Sequence, residues 1–444
     1  DRAVLAANVL LVDEVTHLSL TKDDSASTIS ALGLVCPLSS IAVDATDMGY
    51  ASGNDQMNAV AGRLAAVAAI TGSVNVTDAL SNLDAFLGKC TVGTEQVPTT
   101  VAVDAASMLP AKRAVLAANI AKVDSIVHLS LSKDDSAATI SSLGLACPSA
   151  SIAVDATDMG YASGNDRMNA VAAILAKVSA ITGNVNVTEA LANLDAFLQK
   201  CAAGSGSNVS VDATGMGSPK LAILVTRAAV IDSVSGLSFS SGSDVATINA
   251  LLARSSGASV DAGNMSVDQL NAVAGNIASV GTAAITGRLV LTSGVSHANM
   301  GLLFGKLAGG ATLSAVATNM NLDQLKDIAA EHARFSAGGV TGTISISSAL
   351  TGWQNLLPKA SAANATVSVD ASGMLHADLA VVAAQAERVD SVSGLRLTSA
   401  ETAGEIGALL GKSAADPNAD AVVIASGMNI DRLNAVRSEE HTSE

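Results

Sequence analysis

The sequence predicts an α/β protein built as a one-sided parallel-sheet solenoid, a horseshoe with its strands on the concave side and its helices on the convex side. Two observations lead to this class. The 444 residues repeat a pattern of about 54 residues in which a strand, a helix, a second strand and a second helix follow one another. The strands alternate apolar and small polar residues, which is typical of a sheet that has one face in solvent.

Residues 364–413 show one complete module of this kind. Residues 367–370, Val-Ser-Val-Asp, alternate as a half-buried strand does, and apolar residues then recur at helical spacing over 379–389. A second alternating stretch at 395–398 precedes a second helical face at 406–410. Right-handed crossovers that all advance in one direction place every helix on the same side of the sheet.

Methionines mark the modules along the chain. One closes each first strand: Met48, Met108, Met159, Met216, Met265, Met320, Met374 and Met428. The second strands centre on Leu18, Val74, Leu129, Val185, Leu237, Leu289, Ile344 and Leu395. We therefore expect about sixteen strand–helix rungs in a single array over residues 1–436.

A longer repeat is superimposed on the modules. Residues 2–8 return unchanged as 113–119, and residues 44–50 return unchanged as 155–161. Both displacements are 111 residues, which is two modules. We interpret residues 1–98 and 112–207 as a recent duplication.

The helix starts carry capping signals. Ser266 precedes a helix and Gln269 stands at the capping-box position, where each side chain bonds the backbone of the other. Asn321 and Gln324 repeat the arrangement. The recurring methionine, Met265 in the first case, is interpreted as a hydrophobic staple at the strand-to-helix corner and not as a metal ligand.

Composition excludes several classes of function. The net charge of −16, with a pI near 4.7, argues against a nucleic-acid partner, since Lys and Arg drive phosphate binding. No apolar run is long enough to span a bilayer, so membrane insertion is not expected. No nucleophile elbow, phosphate-binding loop, zinc-protease helix or EF-hand loop occurs, and the histidines lack metal-ligand spacing. The sequence therefore predicts neither an enzyme nor a cofactor.

Acidic residues hold one position in six of the eight first strands, and strand alternation turns them onto the open face. They are Asp44, Asp104, Asp155, Asp212, Asp261 and Asp370. Hydroxyls interleave with them in the second strands: Thr21, Thr77, Ser132, Thr188, Ser240, Thr292, Ser347 and Thr398. These are candidate ligand-binding residues, and weak surface binding of Ca²⁺ is a minor alternative because hard cations prefer oxygen ligands.

Other candidate contact residues lie on loops and in the last module. Tyr50 and Tyr161 stand in inserted loops at two strand-to-helix corners, where insertions often bear contacts. Arg396 is a further candidate, because Tyr, Trp and Arg dominate binding hot spots. Trp353 is assigned to the core.

Four cysteines recur at the same place in successive modules, the end of the second helix: Cys36, Cys90, Cys147 and Cys201. Two helices separate neighbouring sites, which is on the order of 20 Å, whereas a disulfide requires Cα atoms within about 7 Å. We expect four free, partly buried thiols.

Residues 367–374, Val-Ser-Val-Asp-Ala-Ser-Gly-Met, resemble the LxLxxNxL core of a leucine-rich repeat, with Ser372 in the Asn position. Hydroxyls hold that position in other modules: Thr46, Thr157, Thr214, Thr318 and Ser426. Ala106 and Gly263 interrupt the series. Half a module is about 27 residues, which agrees with the length of such repeats.

The Ala/Val/Thr/Asp-rich composition also resembles segments of very large bacterial secreted or surface proteins. This likeness implies an extracellular or cell-surface location. The function expected is a non-catalytic scaffold that binds or adheres, through its concave face or rim loops, to a protein or a surface glycan. The alternative is a purely structural spacer.

The chain ends differently from the other modules. Residues 428–436 follow the sequence of 265–273, but residues 437–444, Arg-Ser-Glu-Glu-His-Thr-Ser-Glu, carry no apolar periodicity. These eight residues resemble the translation of a common sequencing adapter. We expect them to be a non-native tail and the natural array to continue in both directions.

Overall fold

A computed structural model describes residues 1–91, 99–203, 206–414 and 420–440 of the chain. Two compact units divide the chain, Asp1–Ser233 and Val234–Glu444. Strands and helices alternate throughout both units, so the fold is mixed α/β with parallel sheets, as expected at the coarse level.

The described residues contain 24 strands. In the first unit they are β1 (Leu18–Leu20), β2 (Ile41–Asp44), β3 (Tyr50–Ala51), β4 (Asn54–Asp55), β5 (Val67–Val76), β6 (Thr99–Asp104), β7 (Ser125–Val127), β8 (Leu129–Leu131), β9 (Ile152–Asp155), β10 (Tyr161–Ala162), β11 (Asn165–Asp166), β12 (Val178–Val187) and β13 (Ser207–Asp212). The boundary falls in β14 (Ser233–Ser235). Those that follow are β15 (Ser238–Phe239), β16 (Ala258–Asp261), β17 (Val280–Thr286), β18 (Arg288–Leu291), β19 (Thr312–Val316), β20 (Phe335–Ser347), β21 (Ala360–Asp370), β22 (Ser391–Ser393), β23 (Leu395–Leu397) and β24 (Ala421–Val423).

Seventeen α-helices separate these strands in the described ranges. They are α1 (Arg2–Ala7), α2 (Ala26–Leu32), α3 (Gln56–Ala61), α4 (Leu83–Lys89), α5 (Pro110–Ala118), α6 (Ala137–Ala146), α7 (Arg167–Ala173), α8 (Leu194–Ala203), α9 (Ser218–Thr226), α10 (Val245–Leu252), α11 (Val267–Gly275), α12 (His297–Phe304), α13 (Leu322–Ala330), α14 (Trp353–Leu356), α15 (His376–Ala384), α16 (Ala403–Ser413) and α17 (Ile430–Glu440). Short 3₁₀ helices follow several of them, such as Ile120–Lys122 after α5.

Parallel pairing joins the main strands within each unit. The first unit contains a sheet in the order β1-β2-β5-β6-β7, and β13-β12-β9-β8 lie side by side in another. The second unit contains β15-β16-β17, β18-β19-β20-β21-β22 and β23-β24. Two antiparallel hairpins, β3-β4 and β10-β11, occupy the inserted loops. If these hairpins are set aside and the divided second strands are counted once, sixteen strand positions remain, which is the number expected.

The second strand of every module after the first changes partner at a residue in the left-handed conformation. In β5, residues 67–71 pair with β2, whereas residues 72–76 pair with β6. Gly72, at the change, has a φ of 81°. The equivalent residues all have positive φ: His17, His128, Gly183, Gly236, Gly287, Gly342 and Gly394. The sheets are therefore divided into short groups and are not one evenly paired ladder, because a left-handed residue redirects the strand.

Alternate strand residues and one face of each helix form the core. Ile41 and Val43 of β2 are buried, while the residues between and after them are exposed. Met57 and Val60 of α3 are likewise buried. Each such side chain contributes roughly 1.5–3 kcal/mol on burial, so the alternation itself selects the strand face that meets the helices. Trp353 is buried in α14, as expected.

Buried glutamine side chains form hydrogen bonds between successive turns. Both predicted capping boxes are confirmed, at Ser266 with Gln269 and at Asn321 with Gln324. The Gln269 amide nitrogen also donates to the carbonyls of Ser241 and Ser243, at 3.0 and 2.5 Å. Gln324 makes the same pair of bonds to the preceding turn. One side chain therefore caps its own helix and satisfies the backbone of the neighbouring turn.

The last helix, α17, includes residues 437–440 of the expected non-native tail. Residues 441–444 of that tail lie outside the described residues. The origin of the tail stays a prediction.

Candidate functional site

The six aspartates all lie exposed at the ends of first strands, and each has an internal hydrogen bond. In every case Oδ1 accepts the backbone N–H two residues further on, at 2.9–3.1 Å. This is an Asx turn, in which the carboxylate replaces a backbone acceptor as the chain leaves the strand. The signal available in the sequence was Asp followed two residues later by a small residue. This pattern indicates a turn cap, whereas the aspartates were predicted to be ligand-binding residues.

The hydroxyls in the leucine-rich-repeat Asn position reach the next strand. Thr46 Oγ1 accepts the N–H of Ser73 at 3.0 Å, and Thr157 does the same for Asn184. A Cβ at Gly72, which precedes Ser73, would overlap both Asp44 Oδ1 and Thr46 Oγ1. The aspartate, the hydroxyl and the glycine therefore pack together at one corner. The glycine position has no room for a side chain because the two oxygens occupy that space.

Two corner positions have histidine in place of glycine, His17 and His128. His128, at φ 52°, lies beside Asp104, and the residue in the hydroxyl position of this corner is Ala106. His128 Nδ1 lies 3.1 Å from Asp104 Oδ1. The Ala106 N–H, together with His128, lowers the pKa of Asp104. At this corner the Asp104 carboxylate therefore contacts an imidazole as well as a backbone N–H.

The interleaved hydroxyls are used in the same way at other corners. Oγ of each accepts the N–H two residues on in the turns that begin at Thr77, Thr188, Ser240, Thr292 and Thr398. In the described ranges no three His, Cys, Asp or Glu side chains lie close enough together to hold a metal ion. Ca²⁺ binding on this face stays a minor proposal.

Tyr50 and Tyr161 anchor the inserted hairpins to the sheet. The Tyr50 hydroxyl donates to the carbonyl of Asn75 at 3.0 Å and accepts the N–H of Thr77 at 3.4 Å. Tyr161 makes the equivalent bonds to Asn186 and Thr188. Burial raises the pKa of each phenol to about 12. A contact between these tyrosines and a partner stays a prediction.

Arg396 is exposed in the middle of β23, where it lies opposite Val422 of β24. None of the other predicted site residues belongs to these two strands. The structure thus distributes the candidate residues over many turns. It brings some of them together across neighbouring strands: Tyr50 with Thr77, Tyr161 with Thr188, and Thr77 with Asp104.

Three buried carboxylates are polar residues that the sequence patterns did not predict. Asp135 accepts two bonds from the Arg113 guanidinium, both at 2.7 Å, and its second oxygen accepts the Ser132 N–H. Asp24 and Glu401 hold the same place in their modules. All three lie three residues after the strand-end hydroxyl, which is the signal that could have identified them.

The prediction of four free thiols is confirmed. Cys90, Cys147 and Cys201 are buried, and Cys36 is half-buried. Burial raises the pKa of Cys90 and of Cys201 to about 12, and that of Cys147 to about 11. These thiols are therefore uncharged and poorly nucleophilic at neutral pH.

Comparison with known proteins gives no family for the chain. A scan against family models finds no match, and a search of curated proteins finds no significant match. Within the described residues, no helix is both long and apolar enough to cross a membrane.

Proposed function

We propose that the chain is a non-catalytic repeat scaffold of a larger secreted or cell-surface protein, folded as a leucine-rich-repeat-like solenoid with its strands concave and its helices convex. Parallel pairing between consecutive strand positions supports this architecture. So do the recurring corner and the recurring glutamine bridge, which link each turn to the one before it. Solenoids obtain their stability from such nearest-neighbour contacts.

One observation carries the proposal: the polar side chains that recur most regularly form hydrogen bonds inside the protein. All six aspartates cap a turn, and both tyrosines bond the backbone of the neighbouring strand. A catalytic or binding group needs at least part of its hydrogen-bonding capacity for the ligand. This internal use favours the structural-spacer form of the scaffold.

Adhesion to a protein or surface glycan is the second candidate. The observation that favours it is that the strand face stays exposed along both units, with alternate residues of β2, β9 and β16 open to solvent. Arg396 and the two hairpins would then be the first contacts to examine. An extracellular or cell-surface location belongs to both candidates.

Small-angle X-ray scattering tests the architecture. A compact chain of this length has a radius of gyration of about 22 Å and a maximum dimension near 60 Å. Sixteen strands at about 4.8 Å each extend the sheet over about 75 Å before loops are added. We expect a maximum dimension above about 75 Å, and a value near that of a compact globule would contradict the solenoid.

Thermal unfolding tests the minor calcium alternative. The spacer form predicts the same midpoint in excess Ca²⁺ and in a chelator, since no bound ion stabilises the folded state. A rise in the midpoint that saturates with Ca²⁺ would instead support ion binding at the aspartates, and Asp44→Asn with Asp155→Asn should then reduce it.

A further inference from the structure

A small cavity opens on the exposed strand face of the first unit, between β5, β6 and β7. Its volume is about 270 Å³. The strand register places two rows of side chains around it, Asn75, Ala102 and Ser125 in one row and Thr77, Asp104 and Val127 in the next. The residues between these rows point to the core, because Val76, Val103 and Ile126 are buried.

The middle residue of one row is alanine. Ala102 lies directly opposite Ser125 in the register. Two modules later the place of Ala102 is held by Ser210, whose hydroxyl accepts a bond from that of Ser233 at 3.1 Å. Ala42 and Ala153 hold the same place in two other modules. A serine at position 102 should therefore form the same hydroxyl pair with Ser125 and fill part of the cavity.

His128 fixes the carboxylate at the rim of the cavity. It holds a left-handed conformation that is costly for any residue except glycine, and six of the eight equivalent corners have glycine. Its imidazole and the Ala106 N–H both bind Oδ1 of Asp104. The carboxylate is held in one orientation, and its second oxygen is left for another donor.

We propose that this cavity binds one sugar residue of a neutral glycan. The rim offers the Asn75 amide, the Thr77 and Ser125 hydroxyls and the Asp104 carboxylate, which match the donors and acceptors of a hydroxylated ring. Ala102 and Val127 supply an apolar floor for its C–H groups. The lining contains one carboxylate and no cation, which disfavours an anionic ligand. The lining also has no aromatic ring, so we expect roughly millimolar affinity.

The inference goes beyond the scaffold, since a spacer needs no ligand. Amide NMR spectra of the full chain, titrated with glucose, galactose or N-acetylglucosamine, test it directly. We expect at least one sugar to cause saturable shifts at Asn75, Ala102 and Ser125. Ala102→Ser should weaken that binding at least fivefold, because it installs the hydroxyl pair that Ser210 and Ser233 form.

Ser210→Ala is the matched control, because it removes one hydroxyl from the same face outside the cavity. It should leave the affinity unchanged, and Asp104→Asn should weaken binding while the fold is retained. No saturable shift with any of the three sugars would overturn the proposal. Equal affinity of wild type and Ala102→Ser would do the same.

Discussion

Residues 2–8 and 113–119 have the same sequence, yet they are buried to different extents. Leu116 is fully buried, whereas Leu5 is only half-buried. The Arg113 side chain is 8% exposed and that of Arg2 is 37% exposed. Helix α5 packs between α4 and α6, whereas α1 packs on α2. The adjacent turns, and not the local sequence, therefore decide how deeply each side chain is buried and how much it contributes to the stability of the fold.

The arginine pair should show the largest difference between the two copies. Arg113→Ala leaves the fully buried Asp135 carboxylate without its charged partner, and we expect a loss of about 3–5 kcal/mol in the free energy of unfolding. Arg2→Ala removes a side chain that is 37% exposed from Asp24, which is 5% exposed, so water can partly replace the guanidinium and the loss should be smaller, about 1–2 kcal/mol. Urea denaturation measures both. Equal losses in the free energy of unfolding would contradict the difference in burial between the two copies.

The corner glycines should behave alike in the two copies, because their neighbours are the same. Gly72→Ala and Gly183→Ala should each cost about 2–4 kcal/mol, since the new methyl group overlaps a carboxylate and a hydroxyl oxygen and φ is positive. Gly53→Ala is the control for backbone strain alone. Gly53 has a φ of 82° with nothing within 4 Å, so its loss should be near 1 kcal/mol.

The two tyrosines should also titrate alike, and the chain contains no others. Their pKa of about 12 lies above the ordinary phenol value of about 10. The stability that they contribute is therefore complete below about pH 10 and is lost as the pH rises toward 12. Absorbance of the tyrosinate should rise with a midpoint near pH 12, and Tyr50→Phe should halve the amplitude. A midpoint near pH 10 would show that the hydroxyls are not buried.

The equivalent thiols of the two copies should differ in their rate of chemical modification. Cys36 and Cys147 are equivalent in the duplication, but Cys36 is half-buried and Cys147 is buried. Alkylation of the native protein should modify Cys36 about tenfold faster, because exposure and thiolate fraction both limit the rate. Peptide mass mapping over time measures this, with the unfolded protein as the control for equal intrinsic reactivity. Faster modification of Cys147 would contradict the burial difference.

The sequence alone determined the features that depend on neighbouring residues in the chain. Alternation predicted which strand residues are buried, and the spacing of Ser266 and Gln269 predicted a capping box. Trp353 was assigned to the core because it lies in a helix. The module period predicted sixteen strand positions and four cysteines that cannot pair. Each of these inferences uses geometry that repeats within one strand, one helix or one module.

Tertiary structure decided the roles that depend on the next turn. Ala106 breaks the hydroxyl series in the sequence, but its N–H bonds the Asp104 oxygen that also lies 3.1 Å from Nδ1 of His128, 24 residues beyond Asp104. Asp104 was read as a surface ligand, yet its first hydrogen bond caps a turn. Arg2 and Arg113 are identical in local sequence and differ in burial. The physical reason is that burial and steric overlap arise between two turns in contact. The sequence of one turn does not show which residues of the other turn lie against it.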